Sequence, residues 1–167
     1  MKITHAKAQP YSRQFAHPIT TARGRFTHRR GWLLELHDET GRQGHGDAAA
    51  WPGFGSSSDE VALRIACVDQ ATTGLLGTTF ASLDDVRQWI SSCDEPPEVR
   101  YAIELALLDL LSQDQQCSLA SLLGAPAATT VSCHALATDD TAPTATVIKL
   151  KVGAQSIDDD ELRVARC

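Results

Sequence analysis

Lys149-x-Lys151 is the spacing in this chain with the clearest chemical meaning. Side chains two apart on a strand share a face, so the two ammonium groups stand together while Ile148, Leu150 and Val152 supply apolar surroundings. Mutual repulsion and partial desolvation both disfavour a charged lysine, which brings it towards the range of a general base. Solubilising charge on an exposed edge strand fits the same pattern, so the pair alone leaves both readings open.

Other spacings carry less. Gly44-x-Gly46-x-x-Ala49 is a loose dinucleotide fingerprint, but Trp51-Pro52-Gly53 follows it instead of the helix N-terminus that a pyrophosphate needs. The run Arg23 to Arg30 could touch phosphates with Phe26 as an aromatic platform, or form a solvated loop and strand start. His45 and Asp47 share a strand face without a third metal ligand nearby in sequence. Hydrolase, zincin and phosphate-loop motifs do not occur. The five cysteines are scattered, odd in number and lack a C-x-x-C pair, which predicts reduced, buried thiols.

The scaffold for these residues is drawn from 167 residues, of which 43% are hydrophobic and 22% charged: one or two small globular domains. Net charge is −6, and only residues 1–50 are basic, with eight Lys or Arg against four acids, so nucleic acid is not expected as a partner. No apolar run approaches the roughly 20 residues of a membrane span, and the start lacks a secretory apolar run, so a cytoplasmic location is expected.

A strand within Lys2–Phe15 and a hairpin, Trp32 to His37 and Arg42 to Ala48 around Asp38-Glu39-Thr40-Gly41, open the chain. Residues 51–57 read as a sharply turning loop. Helices are then predicted after Ser57-x-x-Glu60, after Ser82, and after Pro96-Pro97, where Val99, Ile103, Ala106, Leu107, Leu110 and Leu111 form a wide apolar face. A short helix over Ser118–Leu123 stops at Gly124. Strands are predicted at residues 129–135 and 147–152, and an acid-led helix begins at Asp158.

The meander, the turn Gly41-x-x-Gly44-x-Gly46-Asp47, the loop Trp51-Pro52-Gly53-Phe54-Gly55, the helix Glu98 to Leu111 and Ile148-Lys149-Leu150-Lys151-Val152-Gly153 together resemble the enolase superfamily. The Pro-Gly-Phe loop and Pro18 to Gly24 look most like the o-succinylbenzoate synthases of menaquinone biosynthesis, with dipeptide epimerases and muconate cycloisomerases as alternatives.

This resemblance implies an α+β capping domain over residues 1–128, an antiparallel meander plus helices, followed at 129–167 by an incomplete (β/α) TIM-barrel fragment. It implies a lyase that removes the proton α to a carboxylate on a small-molecule substrate, with magnesium as cofactor. Lys151 would be the acid/base and Lys149 its neighbour, while Arg23, Gly53 and Phe54 would meet the substrate from the capping domain. The resemblance places the metal ligands on later barrel strands, beyond Cys167. A barrel needs eight βα units and about 250 residues, so this stretch reads as a truncated form. The first barrel helix is expected to be missing from the short connector Leu136–Thr146, and His134 stands where asparagine is usual. The alternative from another class is a non-catalytic remnant or interaction module that self-associates through exposed barrel strands.

Overall fold

Only two residues separate β1 (Ile3–Thr21) from its sheet neighbour β2 (Gly24–Asp38), too few for a parallel crossover, so the pair is an antiparallel hairpin. The computed structural model describes residues 1–21, 24–51, 57–66, 68, 74–124, 130, 132–136, 147–153 and 155–166. β2 pairs antiparallel with β3 (Gln43–Ala48) in the register Trp32↔Ala48 to His37↔Gln43, giving a sheet of order β1-β2-β3.

Both strands of the first hairpin run longer than the sequence predicts: β1 continues past Phe15 to Thr21, and β2 takes in Gly24–Arg30 ahead of Trp32. Phe15, Ile19, Phe26 and Arg29 are half-buried between exposed residues, an alternation too diluted by polar side chains to read as strand from the sequence. The turn into β3 is built on Asp38, whose buried carboxylate accepts from the Thr40 amide (2.9 Å), the Thr40 hydroxyl (2.8 Å), the Arg42 amide (3.0 Å) and Arg42 Nε (2.7 Å). Gly41 closes it at φ 85°, where a side chain would be strained.

Four helices come next among the described residues of the capping region. α1 (Ser58–Ile65), α2 (Leu83–Ser91) and α4 (Leu119–Leu122) start at Ser57, Ser82 and Ser118, each hydroxyl accepting from the amide three residues on, and Asp85 completes a capping box with Ser82. α3 (Pro97–Asp114) instead begins with proline at its first position. Its apolar face, including Ile103, Leu107, Leu110 and Leu111, is buried with Ile3, Leu34 and Leu36 of the sheet in one core. Gly44 and Gly46 let β3 lie against α3: a Cβ on Gly46 would overlap the Ala102 carbonyl oxygen, and one on Gly44 that of Ala106. Close helix packing, not pyrophosphate binding, accounts for this glycine pair.

Two compact units divide the chain, Met1–Ile19 with Arg25–Ala127, and Thr20–Gly24 with Ala128–Cys167. The second holds a parallel pair, β4 (Ala135–Leu136) and β5 (Ile148–Lys149), in the register Ala135↔Ile148 and Leu136↔Lys149, and the helix α5 (Ile157–Ala165), capped by Ser156. Among the described residues these strands are shorter than predicted. Ser132, Cys133 and His134 precede the ladder, and Lys151 and Val152 come after it. Val131 and most of the connector, 137–146, lie outside the described residues. The cysteines also differ from expectation: Cys93 and Cys117 are half-buried and Cys133 is exposed, while Cys67 and Cys167 lie outside the described residues.

Candidate functional site

Lys149 ends β5, and Lys151 sits two residues beyond it. Both side chains are exposed, so the partial desolvation expected from their apolar neighbours is not provided by the described residues. The backbone just after Lys151 is tightly tied. Gly153 turns the chain at φ 86°, and its amide donates to Asp160 Oδ2 at 2.5 Å. Arg163 Nη1 donates to the Lys151 carbonyl oxygen at 3.0 Å and to Asp160 Oδ1 at 3.1 Å. Sequence reasoning missed both α5 residues, because three successive aspartates at a helix start read equally well as dipole-favouring charge.

Arg23, Gly53 and Phe54, the other three expected site residues, lie outside the described residues. Their flanks are described. In the first unit, the Trp51 ring packs against Phe26 and Phe15, with centroids 5.0 and 6.1 Å away, and the Arg29 guanidinium lies 5.1 Å above it. Arg29 also donates to the carbonyls of Ala49 (2.8 Å) and Ala50 (3.4 Å). Phe26 and Arg29, two residues of the run that could have served as a phosphate-binding platform, are thus engaged with Ala49, Ala50 and Trp51. Beside them, Tyr11 donates to the Asp47 carboxylate, at 2.9 Å to Oδ1. Burial pushes the Tyr11 phenol up, and the hydrogen bond and charge of Asp47 add to the effect. Arg29, Asp47, Glu98 and Tyr101 line a cleft of about 260 Å³.

His45 and Asp47 do not share a ligand position. His45 lies between Glu35 (3.8 Å) and Asp109 (3.7 Å), whereas Asp47 is taken by Tyr11. Among the described residues no group of three His, Cys, Asp or Glu side chains could hold a metal ion. Near Lys151, Asp160 is already committed to Gly153 and Arg163. Magnesium therefore does not fit the described donor set. No helix among the described residues is long and apolar enough to cross a membrane.

The sequence profile of the mandelate racemase / muconate lactonizing enzyme N-terminal domain matches residues 3–124. The chain belongs to this family. The capping fold of the mandelate racemase / muconate lactonizing enzymes accounts for the three-stranded sheet and its covering helices, and places the chain in the enolase superfamily. Among solved structures, 2-chloromuconate cycloisomerase from Rhodococcus opacus 1CP is similar over 98% of this chain and 48% of its own, at 20% identity and a TM-score of 0.76. A dipeptide epimerase from Cytophaga hutchinsonii, complexed with Mg and the dipeptide D-Ala-L-Val, is similar over 81% of this chain and 37% of its own, at 19% identity and a TM-score of 0.68. An enolase superfamily member from Roseovarius nubinhibens ISM covers the same shares at 25% identity and a TM-score of 0.64. The chain thus spans between about a third and a half of the length of these relatives. No curated protein matches it.

Proposed function

We propose that this chain supplies the capping domain, residues 1–128, and the first barrel strands, residues 129–167, of an enzyme that removes the proton α to a carboxylate, as in o-succinylbenzoate synthase-like dehydration. One observation carries the reading: Lys151 stands just past the C-terminal end of β5, a strand paired parallel to β4, and such strand ends are where (β/α) barrels build their active sites. In this reading Lys151 takes the α proton at Nζ, and Lys149 offers positive charge to the substrate carboxylate. In the same reading Arg23, Gly53 and Phe54 contribute to substrate binding. The cofactor would be magnesium, in keeping with the Mg named for the epimerase complex, but no step is assigned to it because the described donors do not fit.

Dipeptide epimerisation and muconate cycloisomerisation use the same α-proton logic and are supported by the named relatives. A non-catalytic interaction module is favoured by a different feature, the exposed Val147, Val152, Ile157, Leu162 and Val164 of the second unit. Calorimetric titration of the protein with a succinyl-cyclohexadiene carboxylate, a dipeptide and a muconate, with and without magnesium, separates these readings. Binding of the succinyl acid that weakens about tenfold or more in Lys151→Ala is expected. Preference for either other ligand moves the assignment within the superfamily, and no binding under any condition favours the interaction module.

A further inference from the structure

The ladder between β4 and β5 stops at Lys149, and among the described residues it gives no hydrogen bond to Lys151, Val152 or Gly153. Two residues of α5 hold this stretch instead. Asp160, turned inward with a side chain only 12% exposed, accepts from the Gly153 amide at 2.5 Å, and Arg163 donates to the Lys151 carbonyl at 3.0 Å. The 3.1 Å contact between Arg163 and Asp160 closes a ring through both ends of the Lys151–Gly153 segment.

The ring fixes one peptide group on each side of Val152. With these fixed, the torsions at Val152 have little freedom, and Lys151 is held between the clamped peptide after it and the β4–β5 ladder that ends at Lys149, which narrows the direction in which its side chain leaves the chain. The left-handed turn at Gly153 redirects the chain after it, the chain that carries Asp160 back to the Gly153 amide, which explains why glycine follows the K-x-K-V sequence. The two partners divide the work: a carboxylate oxygen takes an amide proton, and a guanidinium offers donors to a carbonyl and to that same carboxylate. Asp159, one residue earlier, is occupied by the Ser156 cap, with 2.6 Å between Ser156 Oγ and Asp159 Oδ2, so the neighbouring aspartates have distinct tasks.

We propose that Asp160 and Arg163 are positioning residues that hold Lys151 in its working direction. The assignment rests on the reading of Lys151 as the base, but its test does not use turnover. In the full chain, amide hydrogen exchange at Gly153 and the acetylation rate of Lys151 relative to Lys149 are measured across a range of pH, for the parent, Asp160→Ala, Asp160→Asn and Arg163→Ala. Loss of a hydrogen bond to a charged group should speed Gly153 exchange by on the order of tenfold to a hundredfold in Asp160→Ala. The amide oxygen of Asp160→Asn still accepts from Gly153, and should restore most of the protection.

The Lys151-to-Lys149 labelling ratio and its pH profile should shift in both alanine variants. If Asp160→Ala melts α5, seen as fast exchange throughout 157–165, Arg163→Ala must still shift the ratio, because alanine keeps the helix and removes only the contacts of the guanidinium. A ratio that stays at the parent value in Arg163→Ala overturns the proposal, as does a Gly153 amide that exchanges no faster in Asp160→Ala. Failure of substrate titration with these readouts intact would instead count against the catalytic reading alone.

Discussion

Gly46 rests against the backbone of Ala102 so closely that its missing Cβ is what allows β3 and α3 to share a core. Gly46→Ala should force the helix off the sheet. Overpacking against backbone, which cannot rotate away, should lower stability by about 3 kcal/mol. Urea unfolding would show it, and a midpoint equal to that of the parent would contradict this packing.

Asp38 accepts four hydrogen bonds in a buried turn, so Asp38→Ala leaves the amides of Thr40 and Arg42 without their acceptor. The expected loss is about 2–4 kcal/mol. Chemical denaturation of Asp38→Ala beside Asp38→Asn should find the asparagine variant intermediate, because it keeps an oxygen acceptor but loses the charge.

Acid should weaken the fold. His37 lowers the Glu35 carboxyl through a hydrogen bond, the Lys2 amide lowers Glu39, and the Ala81 amide with Ser82 lowers Asp85. Burial alone would raise Asp38, but the bonds from Thr40 and Arg42 outweigh it and hold it below the usual carboxylate range. Since the folded values are depressed, the stability they contribute is complete above the unfolded value of about 4 and is lost as pH falls through the folded values. Thermal midpoints taken stepwise from about pH 6 to pH 2.5 should decline below pH 4. A level profile there would be incompatible with these assignments.

Tyr11 should ionise later than an ordinary tyrosine. Its burial and the Asp47 carboxylate both oppose a phenolate. In a Tyr101→Phe background, ultraviolet titration isolates Tyr11, and Asp47→Asn should bring its transition to lower pH. An unchanged transition would place the Asp47 charge elsewhere.

Amide exchange should be slowest in β2, β3 and α3, whose apolar side chains fill the common core, and fast at β4 and β5, where each strand contributes two ladder residues and Val147 remains exposed. Mass-spectrometric exchange over both units gives the comparison, and protection of 135–136 and 148–149 equal to that of 97–114 would refute it.

Much of the first unit is legible in its local chemistry. Serine caps mark the starts of α1, α2 and α4, prolines mark that of α3, and the Asp38–Gly41 turn sets the register of β2 with β3. The full length of β1 is not legible, because Ser12, Arg13, Gln14 and His17 interrupt its apolar pattern and only pairing with β2 makes them strand. The short β5 is the opposite case: Ile148 to Val152 has strand composition, but among the described residues only Ile148 and Lys149 pair with β4. Within the candidate site, the lysine pair is visible as spacing. The bonds from Asp160 and Arg163 are not, because they depend on how α5 folds back on the residues before it.

The division into two units has an optical consequence. Tyr11, Trp32, Trp51, Trp89 and Tyr101 all belong to the unit formed by Met1–Ile19 and Arg25–Ala127. Intrinsic fluorescence and near-ultraviolet dichroism therefore watch one unit and are blind to the segment that carries Lys149 and Lys151. Far-ultraviolet dichroism also registers α5, so a melt followed by both methods reveals any separate unfolding as a mismatch between the curves.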